Sequence, residues 1–393
     1  MTQVVFTPHT GLTQLPPLSL YVHFPWCVRK CPYCDFNSHE ARAGFDDLAY
    51  VAALLRDLEL ALPAVWGRAV HTVFIGGGTP SLMSPAAMEM LLDGIRARVR
   101  LAPAAEITME ANPGTFEAEK FKAFRAAGVN RLSVGIQSFD DEALRRLGRI
   151  HDSRQAHVAL DIALHHFDNV NLDLMYALPQ QTLALALDDL SQGLAHGVTH
   201  LSAYHLTIEP NTLFSRYEPA GLPDEDRAAD MQEALEARLA EAGFMHYETS
   251  AFARPERQCQ HNLNYWRFGD YLGIGAGAHA KISSAEGIVR EMRHKQPTAY
   301  LQALAAGDAV QTRQRVARSA LPFEFMMNLL RLTEGFELAL FAERTGLSLA
   351  AIQRELAQAE SRGLIERSPT HVRPTLHGQR FLNDLLTLFL KDD

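Results

Sequence analysis

The sequence predicts an α/β fold: a partial (β/α)6 barrel of the TIM type, followed by a smaller winged-helix-like α/β domain. Three observations carry this expectation. Short apolar or β-branched runs recur at Leu18–His23, Thr72–Ile75, Glu106–Glu110, Arg131–Ile136, Val170–Met175 and His200–Leu206, with helical patterns between them, as in a parallel sheet built from strand–helix units. Glycine and polar residues gather directly after these runs, and the carboxyl ends of barrel strands are where such folds place their sites. Beyond residue 320 the pattern changes to clustered helices and one short hairpin.

Taken in order, the first run leads into a cysteine loop and the second into Gly76-Gly77-Gly78-Thr79-Pro80. Ser84 as N-cap and Pro85 at the first helical position open a helix over Pro85–Val99. Glu110-Ala111-Asn112-Pro113 ends the third run and Gln137-Ser138 the fourth, while Asp173 lies in the fifth, with Leu178-Pro179 after it. The chain divides into a tail over 1–17, the barrel and its extension over 18–310, a basic connector over 311–320 and the terminal domain over 321–393. In that domain helices are expected at Leu321–Leu332, Phe336–Arg344 and from Ser348 to Arg362, ahead of Gly363. A hairpin of Leu364–Glu366 with His371–Arg373 and a helix over Gln379–Phe389 complete it.

The 393 residues fit two or three domains, or one large barrel with an appendage, and 47% hydrophobic content is ample for a core. The net charge of -9 argues against a general polyanion binder. The terminal domain lacks a dense basic recognition face, so a lid or docking role is expected there rather than DNA binding by an iron–sulfur regulator. No secretory signal is visible at the N-terminus, and no stretch approaches the roughly 18 apolar residues of a membrane span. A cytoplasmic protein is expected, with peripheral membrane association left open.

Three of the four cysteines occupy eight positions, Cys27-Val-Arg-Lys-Cys31-Pro-Tyr-Cys34. Each iron of a four-iron cluster takes one protein ligand, so three thiolates leave one iron open to a substrate or cofactor. A structural zinc site wants four closed ligands and would have to recruit His23 or the distant Cys259. Cys31-Pro-Tyr-Cys34 alone reads as a redox dithiol, but Cys27 and the length of the chain do not suit a thioredoxin-like unit.

The CxxxCxxC spacing and its flanks resemble the radical S-adenosylmethionine (SAM) superfamily, which implies a [4Fe-4S] cluster on Cys27, Cys31 and Cys34, with SAM on the open iron. The resemblance assigns Gly77, Gly78 and Thr79 to a loop receiving the SAM amine, and Tyr21, Glu110, Gln137, Arg149 and Asp173 to its ribose and carboxylate. Tyr33 and Phe36 supply aromatic cover. The bland reading of each is a turn glycine, a cap, an ion pair or core packing.

Leu-Tyr-Val-His-Phe-Pro-Trp-Cys, residues 128–139 and Asn-Leu-Asp-Leu-Met-Tyr-Ala-Leu-Pro resemble the oxygen-independent coproporphyrinogen III oxidase group, which includes the HemW-type heme chaperones. The resemblance runs from Leu18 to the terminal helix. Phe36 stands where the oxidase usually has a fourth cysteine, only 26 residues precede Cys27, and His261-Asn-Leu-Asn-Tyr265-Trp266 matches the chaperones' HNxxYW motif. The resemblance therefore implies heme as ligand, with His261, Tyr265 and Trp266 as its contacts and Cys259 and His279 as further candidates. An imidazole ligand with aromatic faces suits a porphyrin. It also implies delivery to heme-requiring respiratory proteins at the membrane, an electron donor for the cluster and a homodimer. The rival is SAM-dependent oxidative decarboxylation of coproporphyrinogen III. Ala177 departs from the group's usual glycine.

Overall fold

The computed structural model describes residues 11, 12, 14–41, 45–115 and 118–390. Most of the expected tail, residues 1–10 and 13, lies outside them. The strands of the main sheet are β1 Leu18–Phe24, β2 Ala69–Gly77, β3 Arg100–Ala111, β4 Arg131–Gln137, β5 Val170–Tyr176, β6 His200–His205, β7 Met245–Glu248, β8 Ala251–Ala253, β9 Asp270–Ile274, β10 His279–Ser284, β11 Gly287–Arg293 and β12 Val310–Arg315. Their order across the sheet is β12-β11-β10-β9-β1-β2-β3-β4-β5-β6-β8-β7. β1 to β6 run parallel in chain order, which is the expected strand–helix series. It is an open barrel rather than a closed one: antiparallel β8 and β7 finish one edge, and four strands extend the sheet beyond β1.

The alternation within each strand explains the layering. In β1, Leu18, Leu20, Val22 and Phe24 are buried in a core shared with α1 (Asp47–Val65) and its Tyr50, Val51, Leu54 and Leu58. Ser19, Tyr21 and His23 occupy the intervening positions. Successive side chains of a strand point to opposite faces, so one face meets the helices and the other the barrel interior. α2 (Pro85–Arg98) is capped as expected, Ser84 Oγ accepting from Ala87 N at 3.2 Å. α3 (Ala118–Ala127), α4 (Ser153–His166), α5 (Leu183–Ala195) and α6 (Glu225–Glu241) follow the remaining strands. Among the described residues no helix is long and apolar enough to cross a membrane.

Three features differ from expectation. β9, where no strand is expected, joins the sheet parallel to β1, and its Asp-Tyr-Leu-Gly-Ile sequence leads into a glycine-rich run. The basic stretch expected as a connector begins as β12, an exposed edge strand paired to β11; edge strands carry charge to discourage further pairing. In the terminal domain Phe336–Glu337 is a strand, paired with His371–Pro374, and the helix starts only at Ala339. The helix expected from Ser348 is a 3-10 turn, Leu349–Ala351, then an α-helix, Gln353–Ser361, and the last helix breaks at Phe381. The helix Gln353–Ser361 carries Arg354 alongside Glu355 and Glu360, which is not a dense basic face.

A buried carboxylate fastens the added strands to the barrel. Asp57 on α1 accepts from Gly275 N at 3.0 Å, Tyr300 OH at 3.0 Å and Arg293 Nε at 3.2 Å, with Asp57 and Arg293 both buried. Burial raises the Asp57 carboxyl and the Arg293 charge opposes that rise. Removing one partner of such a pair leaves an uncompensated buried charge. Asp57→Ala is therefore expected to destabilise the barrel by about 3–5 kcal/mol, read by denaturant unfolding on the tryptophans, all of which precede residue 267. Adding Arg293→Met should recover part of the loss.

Candidate functional site

The carboxyl ends of β1 to β6 surround a cavity of about 690 Å³, lined by every residue singled out for cluster or SAM and by three of the five heme candidates: Cys27, Cys31, Cys34, Tyr21, Gly77, Gly78, Thr79, Glu110, Gln137, Arg149, Asp173, His261, Tyr265 and Trp266. The cysteine loop leaves β1 through the short strand Trp26–Cys27, which pairs with His39–Glu40 and so returns the loop to its start. Cys34 N donates to Cys31 O at 3.2 Å, making a tight turn between the second and third cysteines. All three thiols are free and partly exposed. Three thiols on one loop, all lining one cavity, supply the donor set that a four-iron cluster with an open iron takes.

The glycines after β2 are demanded by crowding within the protein. A side chain at Gly78 would stand 2.5 Å from Trp26 O, and one at Gly77, where φ is +108°, would stand 2.4 Å from the His23 ring. Only glycine takes that backbone conformation at no steric cost. Gly77 N donates to Glu110 Oε2 at 3.0 Å, tying the loop to the end of β3. Asn112 Nδ2 donates to Thr79 Oγ1 at 2.9 Å, and Arg149 Nη2 to Asn112 Oδ1 at 2.7 Å and to Gly135 O at 2.6 Å. Arg149 Nη1 lies 3.6 Å from Cys31 Sγ, so this guanidinium stands beside the cysteine loop as well as the expected SAM site. A cation there complements thiolates.

At the next two strand ends the backbone itself is strained. Gln137 has φ +74° and follows a register shift in β4, and Ala177, directly after β5, has φ +57°. Non-glycine residues in this region cost of order 1–3 kcal/mol and cluster at functional sites. A glycine at position 177 would adopt that conformation without this cost. The turn after Gln137 is pinned by Asp189 of α5, which accepts from Ser138 Oγ at 2.8 Å and Phe139 N at 2.6 Å.

Deeper in the barrel is a polar layer that sequence reading missed. Asp173 accepts from Ser133 Oγ at 3.1 Å and Asn171 Nδ2 at 2.7 Å, and Asn171 Oδ1 meets His200 Nδ1 at 2.6 Å. The signal was present as polar residues at alternate positions of otherwise apolar strands, in Asn-Leu-Asp-Leu and His-Leu-Ser-Ala. Arg131, also unassigned, is buried and lines the cavity, with Glu106 at 4.0 Å.

The HNxxYW residues form α7 (Gln260–Trp266), which closes the barrel from below. It sits on the registered row Ser19–Thr72–Glu106. Glu106 accepts from the amides of Gln260 and His261 at 3.1 Å each, supplying the carboxylate cap that Cys259 at the N-cap position does not. Asn264 Nδ2 donates to Ser19 Oγ and Asp270 O, both at 2.8 Å. His261, expected as a heme contact, is 2% exposed; its Nδ1 is 2.8 Å from Thr72 Oγ1, and its ring packs on Phe74 and Tyr265. Its Nε2 has no partner, and burial lowers its pKa to about 3, so the ring is neutral. Cys259 lines neither this cavity nor its neighbour; it is buried, with Sγ 3.6 Å from Glu106 Oε1. His279 lines a second, smaller cavity that shares Tyr21, Gly77, Glu110 and Tyr265 with the first.

Glu110 is the titrating group of the site. Burial first, then the amide of Gly77 in opposition and the nearby Asp173 charge, leave its pKa raised from 4.5 to about 7. A carboxyl raised on folding stabilises the fold fully below its unfolded pKa, and that contribution is lost as pH rises through the folded value. The Tm of the ligand-free protein minus that of Glu110→Gln should therefore fall as pH is raised from about 4.5 to 7. A difference that stays level with pH would contradict this.

Comparison with known proteins follows this geometry. Residues 21–190 match the radical SAM superfamily model and residues 316–381 the HemN C-terminal domain model. The chain is 49% identical over 386 residues to heme chaperone HemW of Escherichia coli (strain K12) and 46% identical over 388 residues to that of Haemophilus influenzae. Both alignments cover 97% of this chain and 100% of the relative. A solved structure of the Escherichia coli coproporphyrinogen III oxidase (HemN), a radical SAM enzyme, superposes with TM-score 0.82 at 24% identity, covering 95% of this chain and 90% of that one. That likeness shows the fold, a radical SAM barrel with a C-terminal domain. Superfamily membership implies a [4Fe-4S] cluster and SAM. With such identities running the full length of its relatives, this chain belongs to the HemW family of heme chaperones, within the HemN-like group of the radical SAM superfamily.

Proposed function

We propose that this protein binds heme and hands it to heme-requiring acceptors, from a barrel whose cysteine loop carries a [4Fe-4S] cluster. The observation that carries the reading is its alignment along the entire length of proteins named heme chaperones. Phe36, at the usual place of the oxidase's fourth cysteine, also favours it over coproporphyrinogen III oxidation. In this reading Cys27, Cys31 and Cys34 ligate the cluster. A bound cluster and SAM together supply one-electron cleavage of the sulfonium to a carbon radical. Tyr21, Gly77, Gly78, Thr79, Glu110, Gln137, Arg149 and Asp173 form the SAM pocket. Crowding keeps the glycine loop narrow, Glu110 and Asp173 present carboxyl groups from β3 and β5, and the Arg149 guanidinium faces the cysteine loop. Tyr265, which lines both cavities, gives the α7 wall an aromatic face for the porphyrin, with Trp266 beside it on the larger cavity. The acceptors we infer are respiratory heme proteins met at a membrane surface, with an electron donor for the cluster and a homodimeric form as further expectations.

The test uses cluster-loaded protein. Heme titration should give a saturable Soret band at one heme per chain, and that band should pass to an apo-hemoprotein acceptor on mixing. With SAM, a reductant and coproporphyrinogen III, no decarboxylated product should form; turnover would make the protein an oxidase. Cys27→Ala, Cys31→Ala or Cys34→Ala should abolish the cluster absorption.

A further inference from the structure

We infer that His279, not His261, is the axial ligand of the heme, which lies in the side cavity beside the cysteine loop. The inference rests on the heme-binding reading above and identifies where that ligand is held.

The side cavity has a volume of about 340 Å³, within the range of about 300–1,000 Å³ typical of small-molecule and cofactor sites. Tyr21, Phe36, Tyr265 and Tyr271 give it aromatic walls, and His23 and His279 are its imidazoles. It lies where β9 and β10 extend the sheet beyond β1. Phe36, 58% exposed, lines both this cavity and the larger one, so a plate held here would lie beside the cysteine loop.

Five histidines border the two cavities, His23 and His279 the smaller and His200, His205 and His261 the larger, and their surroundings separate them. His200 is engaged at both ring nitrogens, by Asn171 Oδ1 and Tyr247 OH, and His205, whose ring packs against Tyr176, lines the larger cavity and not the smaller one. His23 is fully engaged: its Nε2 donates to Asn37 O at 3.0 Å and its Nδ1 accepts from Tyr21 OH at 3.1 Å. Ligating iron would break one of these bonds. His261 has the electronic form a metal needs. Thr72 Oγ1 donates to Ser19 Oγ at 2.7 Å, so His261 Nδ1–H donates to Thr72 and Nε2 keeps its lone pair. That Nε2 is enclosed, however, on a ring with Phe74 and Tyr265 each 5.1 Å away, centroid to centroid. Axial ligation needs open space for a porphyrin plate across the nitrogen, and here it would displace packed aromatics. His279 is exposed, heads β10, and neither ring nitrogen has a hydrogen-bond partner among the described residues. Of the two imidazoles in the side cavity it is the one free to bond an incoming iron.

The charges around it suit the rest of the ligand. Lys295 and Arg290 both act electrostatically on His279, and Lys295 is exposed. Arg290 Nη1 donates to Tyr271 OH at 3.0 Å while its ion pair with Glu324 anchors it from the terminal domain. An imidazole, aromatic walls and two cations together match an iron porphyrin bearing carboxylates. One protein ligand at an open rim also leaves the opposite face and edge of the plate accessible for transfer.

Heme should be titrated into the cluster-loaded full-length protein and into His279→Ala and His261→Ala, with cluster absorption and circular dichroism confirming that each variant is folded and loaded. His279→Ala should weaken heme binding by about tenfold or more, equivalent to about 1.4 kcal/mol, and shift the Soret band of bound heme; added imidazole should restore the wild-type spectrum. His261→Ala should keep the wild-type spectrum with affinity changed less than about twofold. An unchanged spectrum in His279→Ala, or a loss confined to His261→Ala, overturns the inference while leaving heme binding intact. If the wild-type protein takes up no heme, the chaperone reading itself fails and the inference with it.

Discussion

The buried carboxylate of Asp57 is the constraint on which the shape of the site depends. A strand–helix barrel open at one edge has no intrinsic reason to hold further strands at a fixed position. Here a single side chain on α1 reaches past β1 to the turn after β9, to β11 and to the helix Pro297–Ala305. Tyr50, two turns earlier on α1, works in parallel, donating to His23 O at 3.1 Å and accepting from Ala276 N at 3.0 Å. Between them the two residues set the glycine-rich turn 275–277 against the end of β1. The close fit shows at Gly275, where a side chain would stand 2.4 Å from His23 O. Buried ion pairs are weak sources of net stability, but they fix geometry because their misplacement is costly.

What the sequence made legible follows from period and chemistry. The six parallel strands were readable because both of their faces are covered, which yields short apolar runs punctuated by turn residues. The cysteine loop and the residues after each strand could be placed on one cavity because strand direction alone brings the carboxyl ends together. β9 and β12 were not readable, for opposite reasons. β9 is buried but short and runs into glycines required by close backbone approach, so it imitates a loop. β12 is an edge strand whose side chains are nearly all exposed, which removes the alternation that marks a strand. The breaks at Ile352 and Phe381 leave no local signal, since neither glycine nor proline marks them.

The site residues divide in the same way. Glu110, Gln137, Arg149 and Asp173 were identified through resemblance, while Asn112, Ser133, Asn171 and His200, which hold several of them in place, were not assigned. Each of these four has its meaning only through a partner on another strand. Arg149 illustrates the point: its sequence position after a short helix says nothing of Cys31, yet the two side chains meet across more than a hundred residues. His261 is the converse. Its motif is conspicuous, but much of what the motif encodes is how α7 seats against Ser19, Thr72 and Glu106.

This division bears on how one barrel can serve either catalysis or carriage. An enzyme that abstracts hydrogen must enclose its substrate against the radical source and shut out water. A carrier has to bind firmly enough to solubilise its cargo yet leave it reachable by an acceptor, so its ligand belongs at a rim. The larger cavity is ringed by strand ends and closed below by α7, with exposed Phe36, Tyr204 and His205 among its lining. The smaller one is bordered by the same Phe36 and by the exposed His279, which sets its ligand at a rim. Because they share Tyr21, Gly77, Glu110 and Tyr265, occupation of one alters the walls of the other. Glu110 sits in that shared wall with its pKa raised by burial to about 7, so a single protonation changes the charge that both cavities present.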